Sequence, residues 1–227
     1  MKKFDIENIY SIYNKHIIKP NSYYERFSKI NEYLSEPELI KYKNIDPPRV
    51  VSIIDFKEWI EKFNIKTGDK LLYTCESDPE LCYIDYINKT YLPYPPYDLH
   101  NFDIEEKNHD LVIFNQTIEH LYNPFIAIQN LYDHTKDGGF LYTTVPTINI
   151  PHMTPIHFWG ITPIGLCLLM MSVGFNVIEC GYWGNKKYID YIFTNNDWPG
   201  YKDISITDFN LGCDNVCQSQ TWILVQK

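Results

Sequence analysis

Residues 110–120 read Asp110-Leu111-Val112-Ile113-Phe114-Asn115-Gln116-Thr117-Ile118-Glu119-His120. An unbroken apolar run of strand length after a charged turn marks a strand buried on both faces, as in a parallel sheet; a strand with one wet face would alternate. Downstream, Pro124 opens a helix carrying Phe125, Ile126, Ile128, Leu131 and Tyr132. Asp137-Gly138-Gly139 stops it, with Gly138 expected in a left-handed cap. Phe140 to Val145 reads as the next strand. Thr162 then caps a helix that has Pro163 at its first position and runs to Val173. Phe175 to Cys180 and Thr221 to Val225 read as strands, the second after an irregular stretch from Trp198 to Ser219.

Upstream, Lys66-Thr67-Gly68-Asp69 reads as a turn before a strand over Leu71 to Cys75. Prolines at 93, 95 and 96 make residues 88–101 an extended loop or a very short edge element. Val50 to Phe63 is helical after the break at Pro47-Pro48. Before that, Ile6, Ile9, Tyr10 and Tyr13, then Tyr24, Phe27, Ile30 and Leu34, recur at helical intervals and predict two short helices around Pro20. Strand and helix alternate, so the expected fold class is α/β, with a helical extension over 1–48 and an α/β domain over 49–227.

The chain's 227 residues suffice for one sizeable core, and 44% hydrophobic with 22% charged residues excludes wholesale disorder. A net charge of -9, from 29 acidic against 20 basic residues, speaks against nucleic acid as a partner. No apolar window approaches the roughly 18 residues of a membrane span, and Met1-Lys2-Lys3-Phe4-Asp5 has no apolar signal core, so a cytoplasmic location away from membranes is expected. The six cysteines are scattered and read as buried thiols. Cys213 and Cys217 have no second Cys/His pair near them in sequence, so no metal is expected. A phosphate-binding G-x-x-x-x-G-K-[ST] loop and an intact G-x-G-x-x-G are both missing, which disfavours other nucleotide-binding α/β enzymes.

Taken in order, three segments resemble the C-terminal half of the class I S-adenosylmethionine (SAM)-dependent methyltransferases, the type 11 family. Asp110 to Leu121, with Glu119-His120, is similar to the family's fourth strand and the "EH" that follows it. Lys136-Asp137-Gly138-Gly139-Phe140-Leu141, closed by Val145-Pro146, is similar to its turn into strand five. Pro151-His152, then His157-Phe158-Trp159-Gly160-Ile161-Thr162-Pro163 and Gly174-Phe175-Asn176-Val177, is similar to its closing motif. The resemblance implies a Rossmann-like methyltransferase sheet, SAM as cofactor, and methyl transfer to a small-molecule acceptor such as a hydroxyl of a sugar or glycan precursor. The alternative is a catalytically inactive methyltransferase fold serving as a binding or regulatory module for a protein partner.

Carried over residue by residue, the family's glycine-rich loop falls on Leu72-Tyr73-Thr74-Cys75-Glu76-Ser77-Asp78-Pro79. Cys75, Ser77 and Pro79 stand at glycine positions, and Tyr73 where an acid is usual. The resemblance places Thr74, Cys75, Glu76 and Ser77 against the cofactor, Asp98 and Leu99 at its adenine, and Asn115 and Gln116 at its amino-carboxylate end or the acceptor. Asp85 is the nearest candidate for the ribose-binding acid. His152 and His157 are the candidate catalytic bases, since an imidazole can take a hydroxyl proton near neutral pH. His120 is read as packing; Tyr94, Tyr97 and Trp159 offer surfaces suited to stacking on a sugar or adenine ring, but in a chain this rich in tyrosine they are read as core or rim.

Overall fold

A computed structural model of the chain describes residues 5–18, 45–153, 155–200, 213 and 216–227. The second expected N-terminal helix, over Tyr24 to Leu34, lies outside the described residues. Six strands form one sheet: β1 (Thr67–Tyr73), β2 (Asp85–Tyr91), β3 (His109–Ile113), β4 (Thr135–Pro146), β5 (Asn176–Trp183) and β6 (Gln220–Gln226), in the order β2-β1-β3-β4-β6-β5. The first four run parallel, while β6 is antiparallel to both its neighbours. Among the described residues five α-helices accompany them: α1 (Ile6–His16), α2 (Pro47–Lys62), α3 (Pro124–His134), α4 (Pro163–Val173) and α5 (Lys186–Asn195), with short 3-10 turns at Pro79–Tyr83 and Ile118–His120.

The apolar run of β3 is sorted as its sequence requires. Leu111 and Ile113 join Val50, Ile54 and Trp59 of α2 in one buried cluster. Val112 and Phe114 join Ile128 and Leu131 of α3 and Leu166 and Met170 of α4 in another. Alternate side chains of a strand point to opposite faces, so a sheet covered by helices on both sides needs apolar residues at every position. Helix α4 is as expected: Thr162 accepts from the Gly165 N–H, Pro163 is the first residue, and Gly174 closes it at φ +116°. The N-terminal segment docks on β5, where Ile18 N–H donates to the Cys180 carbonyl and the His16 ring to that of Ile178.

Several expected boundaries are corrected. Gly68 is not in a turn: β1 begins at Thr67, and a Cβ on Gly68 would run into the Tyr86 ring of β2, so the glycine serves close packing. The edge element is a full seven-residue strand, β2, which ends before the prolines. Gly138 does have a left-handed φ of +79°, but it does not cap α3. That helix stops at His134, and Gly138 lies within β4, where the register against β3 shifts between His109 and Leu111. Helix α5 falls in a stretch where no element is expected; Asn185 caps it, and Tyr188 and Ile192 face the core. No helix among the described residues is long and apolar enough to cross a membrane.

Candidate functional site

The carboxyl ends of parallel strands leave a crevice where ligands of open α/β sheets bind. Here a cavity of about 510 Å³ lies between the chain after β1, the turn after β3 and the loop after β4. That volume falls within the range of roughly 300–1,000 Å³ typical of small-molecule sites. Thr74, the first residue past β1, is on its wall, and the Thr74 hydroxyl is buried with no hydrogen-bond partner.

Four of the eight expected cofactor residues line the cavity: Thr74, Asp98, Leu99 and Gln116. Gln116 has a left-handed φ of +48° and is held to β4 twice, its N–H donating to the Thr144 carbonyl and its amide to the Thr144 hydroxyl. The turn at Asp98-Leu99 is fixed from α3, because the Asn130 amide donates to the carbonyls of Leu99 and His100. Asp98 accepts from the His100 N–H and ring, and the backbone bond is the largest influence holding its carboxyl below the ordinary range.

Cys75, Glu76, Ser77 and Asn115 are not on the cavity wall. Glu76 and Ser77 are exposed, and the Cys75 thiol and Ser77 hydroxyl lie 3.1 Å apart. Asn115 is buried and donates to Asp78 at 3.2 Å. Asp85 is at the start of β2, the opposite end from the cleft, and so cannot hold a ribose there. Tyr91 occupies the end of that strand and stacks on Tyr73 at 5.1 Å.

The path of the glycine-free loop has a physical cause that local sequence does not reveal. Arg49, in the first turn of α2, makes a bidentate pair with the fully buried Glu80 at 2.8 and 2.9 Å and also donates to the Thr144 hydroxyl. Asp78 lies 3.7 Å from the same guanidinium. Burial, and then the nearby Glu80 charge, push the Asp78 carboxyl up to about 7, so it keeps a proton far above the usual range.

The loop after β4 folds back on the turn after β3. Phe158 N–H donates to the Glu119 carbonyl, the Trp159 indole to that of Leu121, and the His120 ring to that of Ile156. Gly160 sits so close to the Thr147 carbonyl that a Cβ would collide with it. This lacing gathers three histidines. Ring centroids of His120 and His152 are 5.1 Å apart, those of His152 and His157 5.0 Å, and those of His120 and His157 6.2 Å. His120 itself lines the cavity, while His152 and His157 stand behind it. Burial, and then the two neighbouring rings, hold the His120 pKa below the ordinary value. Glu119 is 2% exposed, one of its oxygens has no partner, and burial pushes its carboxyl up to about 8. Among the described residues no group of three or more His, Cys, Asp or Glu side chains could hold a metal ion.

No protein-family model matches the chain, and no curated protein matches it. Solved structures do. MccD protein superposes with TM-score 0.51 at 13% identity over 81% of this chain and 99% of its own. The [4+2]-cyclase SpnF gives TM-score 0.50 at 13% identity over 78% of this chain and 81% of its own. A SAM-dependent methyltransferase from Archaeoglobus fulgidus gives TM-score 0.44 at 13% identity over 77% and 94%. At such identities the likeness speaks for the fold alone. With the strand order, the antiparallel β6 and helices on both faces, the chain carries a Rossmann-like α/β fold, the likeness it shares with MccD protein and SpnF.

Proposed function

We propose that the cavity beside Thr74 binds SAM and that the protein transfers a methyl group to a small-molecule acceptor. The observation that carries this is the buried, unpartnered Thr74 hydroxyl on the wall of a ligand-sized cavity at the carboxyl ends of β1 and β3. A buried polar group with no partner costs about 1–3 kcal/mol, which a ligand that bonds to it recovers. The residues present suit SAM: Leu92 and Leu99 give an apolar wall for the adenine, while Asp98, Gln116 and Thr74 offer polar groups along it. Cys75, Glu76 and Ser77 form the adjoining rim, and Asn115 holds that rim from behind through Asp78. No acid ends β2, so the ribose would be held by other groups of the cleft.

Bound SAM supplies an electrophilic methyl group. The chain's own task is to hold an acceptor in line and take its proton. The acceptor class we favour is a hydroxyl of a sugar or glycan precursor, because Tyr94, Tyr97 and Tyr122 line the same cavity and offer flat apolar faces with polar edges. His152 and His157 are the proposed bases, reaching the cavity through His120.

Calorimetric titration with S-adenosylhomocysteine tests this. The expected result is saturable one-site binding, unchanged in Ser77→Arg because Ser77 is exposed and is not among the residues lining the cavity. Loss of binding in Ser77→Arg would move the ligand to the rim, and no binding by the unaltered protein would leave an inactive fold serving as a binding module.

A further inference from the structure

We infer that the acceptor carries an apolar ring system, and that this part of it lies in a second cavity adjoining the first at Tyr122. The inference rests on the methyl-transfer reading and names the class of its substrate. The second cavity, of about 480 Å³, opens between the first turns of α3 and α4 and the chain at Trp159. Tyr122 lines both cavities, so one extended molecule can reach from the first into the second. The Tyr122 ring is held by that of His100, stacked on it at 3.9 Å and 17°, and this imidazole in turn accepts from the Asn123 N–H at 3.2 Å.

The chemistry of the walls selects an apolar occupant. Among the described residues none that lines this cavity is charged. Its polar side chains are committed to the fold: the Asn123 amide oxygen accepts from the Ile126 N–H, the Thr162 hydroxyl accepts from the Gly165 N–H, and the Trp159 indole donates to the Leu121 carbonyl at 2.7 Å. What remains is ring surface. Tyr122, Phe125 and Trp159 are 62, 49 and 44% exposed, and all three line this one hollow. Single exposed aromatics are ordinary, whereas several gathered around one hollow mark a binding site, because their apolar faces stay in water until a ligand covers them. Aromatic walls suit a ring above all, since rings pack against one another offset-stacked or edge-to-face. The first cavity supplies the polar end, with Asp98, Gln116 and Thr74 on its walls. The acceptor is therefore two-ended: a hydroxyl-bearing part, the sugar of the proposed reading, joined to an apolar ring, as in an aryl glycoside.

Calorimetry with three probes tests this: naphthol, naphthyl glucoside and methyl glucoside, each titrated with and without saturating S-adenosylhomocysteine. The expected result is one site for naphthol that S-adenosylhomocysteine does not displace, and naphthyl glucoside bound at least about 10-fold more tightly than methyl glucoside. Phe125→Asp should weaken both naphthyl probes by at least about 10-fold, while Ile126→Asp, one position on and not among the lining residues, should leave them unchanged. Both residues are exposed and outside the buried clusters, and an acid in a helix's first turn suits its dipole, so either variant should fold. No saturable binding of the naphthyl probes, their displacement by S-adenosylhomocysteine, equal affinity for the two glucosides, or equal effects of Phe125→Asp and Ile126→Asp would each overturn the second site. So would light scattering that finds two copies of the chain joined until Phe125→Asp parts them. Binding of S-adenosylhomocysteine is also read without the probes, so failure of the methyl-transfer reading and failure of the ring site are separate results.

Discussion

The loops after β1 and after β4 flank the same cleft and treat buried polar groups in opposite ways. After β1, charge is answered from within: Arg49 pairs with Glu80, reaches Thr144 and stands beside Asp78, which Asn115 bonds in turn. After β4, the His120, His152 and His157 rings are each bonded to a backbone carbonyl, while the second nitrogen of His157 and one oxygen of the neighbouring Glu119 are buried without a partner. A network whose members satisfy one another stabilises a fold, whereas buried groups with spare capacity cost stability unless something else completes them. The Arg49–Glu80 side thus anchors the fold although Asn115 keeps one oxygen without a partner, and under the proposed function the Thr74 hydroxyl at the start of the first loop and the open groups after β4 are the ones a ligand would complete.

The largest effect should come from breaking the closed side. Glu80→Gln or Arg49→Met leaves a buried charge without its partner and is expected to cost about 3–5 kcal/mol of unfolding free energy, read as a lower urea midpoint. If either costs under about 1 kcal/mol, that side is not the structural anchor. A pH comparison sharpens the same point. Because the folded protein keeps Asp78 protonated up to about 7 while the unfolded chain ionises near 3.8, this group's contribution is fully present at low pH and is lost as pH rises through 7. Asp78→Asn should therefore gain on the unaltered protein by about 2 kcal/mol between pH 5 and pH 8. A gap that shrinks with rising pH would contradict the raised carboxyl. On the open side, Trp159→Phe removes the indole bond to Leu121 that laces the two loops. It should cost about 1 kcal/mol and make the backbone of residues 156–160 exchange hydrogen faster, with the sheet unaffected.

What the sequence reveals and what it hides follow from how far each determinant reaches along the chain. Strand β3 and helix α4 are legible because an apolar run, a Thr-Pro start and a Gly stop are local signals. Strand β2 is hidden because it lies at the sheet edge with Ile87, Asn88 and Lys89 exposed, so its pattern is barely apolar. Gly68 and Gly138 mislead for one reason: each serves the sheet, by close packing or by a bulge, and neither marks a turn or a helix end. In the cleft, Asp98, Leu99, Thr74 and Gln116 are legible through the order of the motifs. Arg49 and Glu80 are not, because their pairing spans 31 residues and joins α2 to the short 3-10 turn Pro79–Tyr83. The unpartnered nitrogen of His157 is equally hidden, since it depends on the loop's path.

The contrast between the two sides is tested most directly at Thr74, where Val keeps the shape and removes the unpartnered hydroxyl. Urea unfolding and titration with S-adenosylhomocysteine on Thr74→Val should move in opposite directions. The free protein is predicted to gain about 1 kcal/mol, and ligand affinity to fall by about 3–10-fold, the worth of one hydrogen bond. A variant that loses stability and binds the ligand as tightly as before would show that the hydroxyl serves the fold, and would contradict the account.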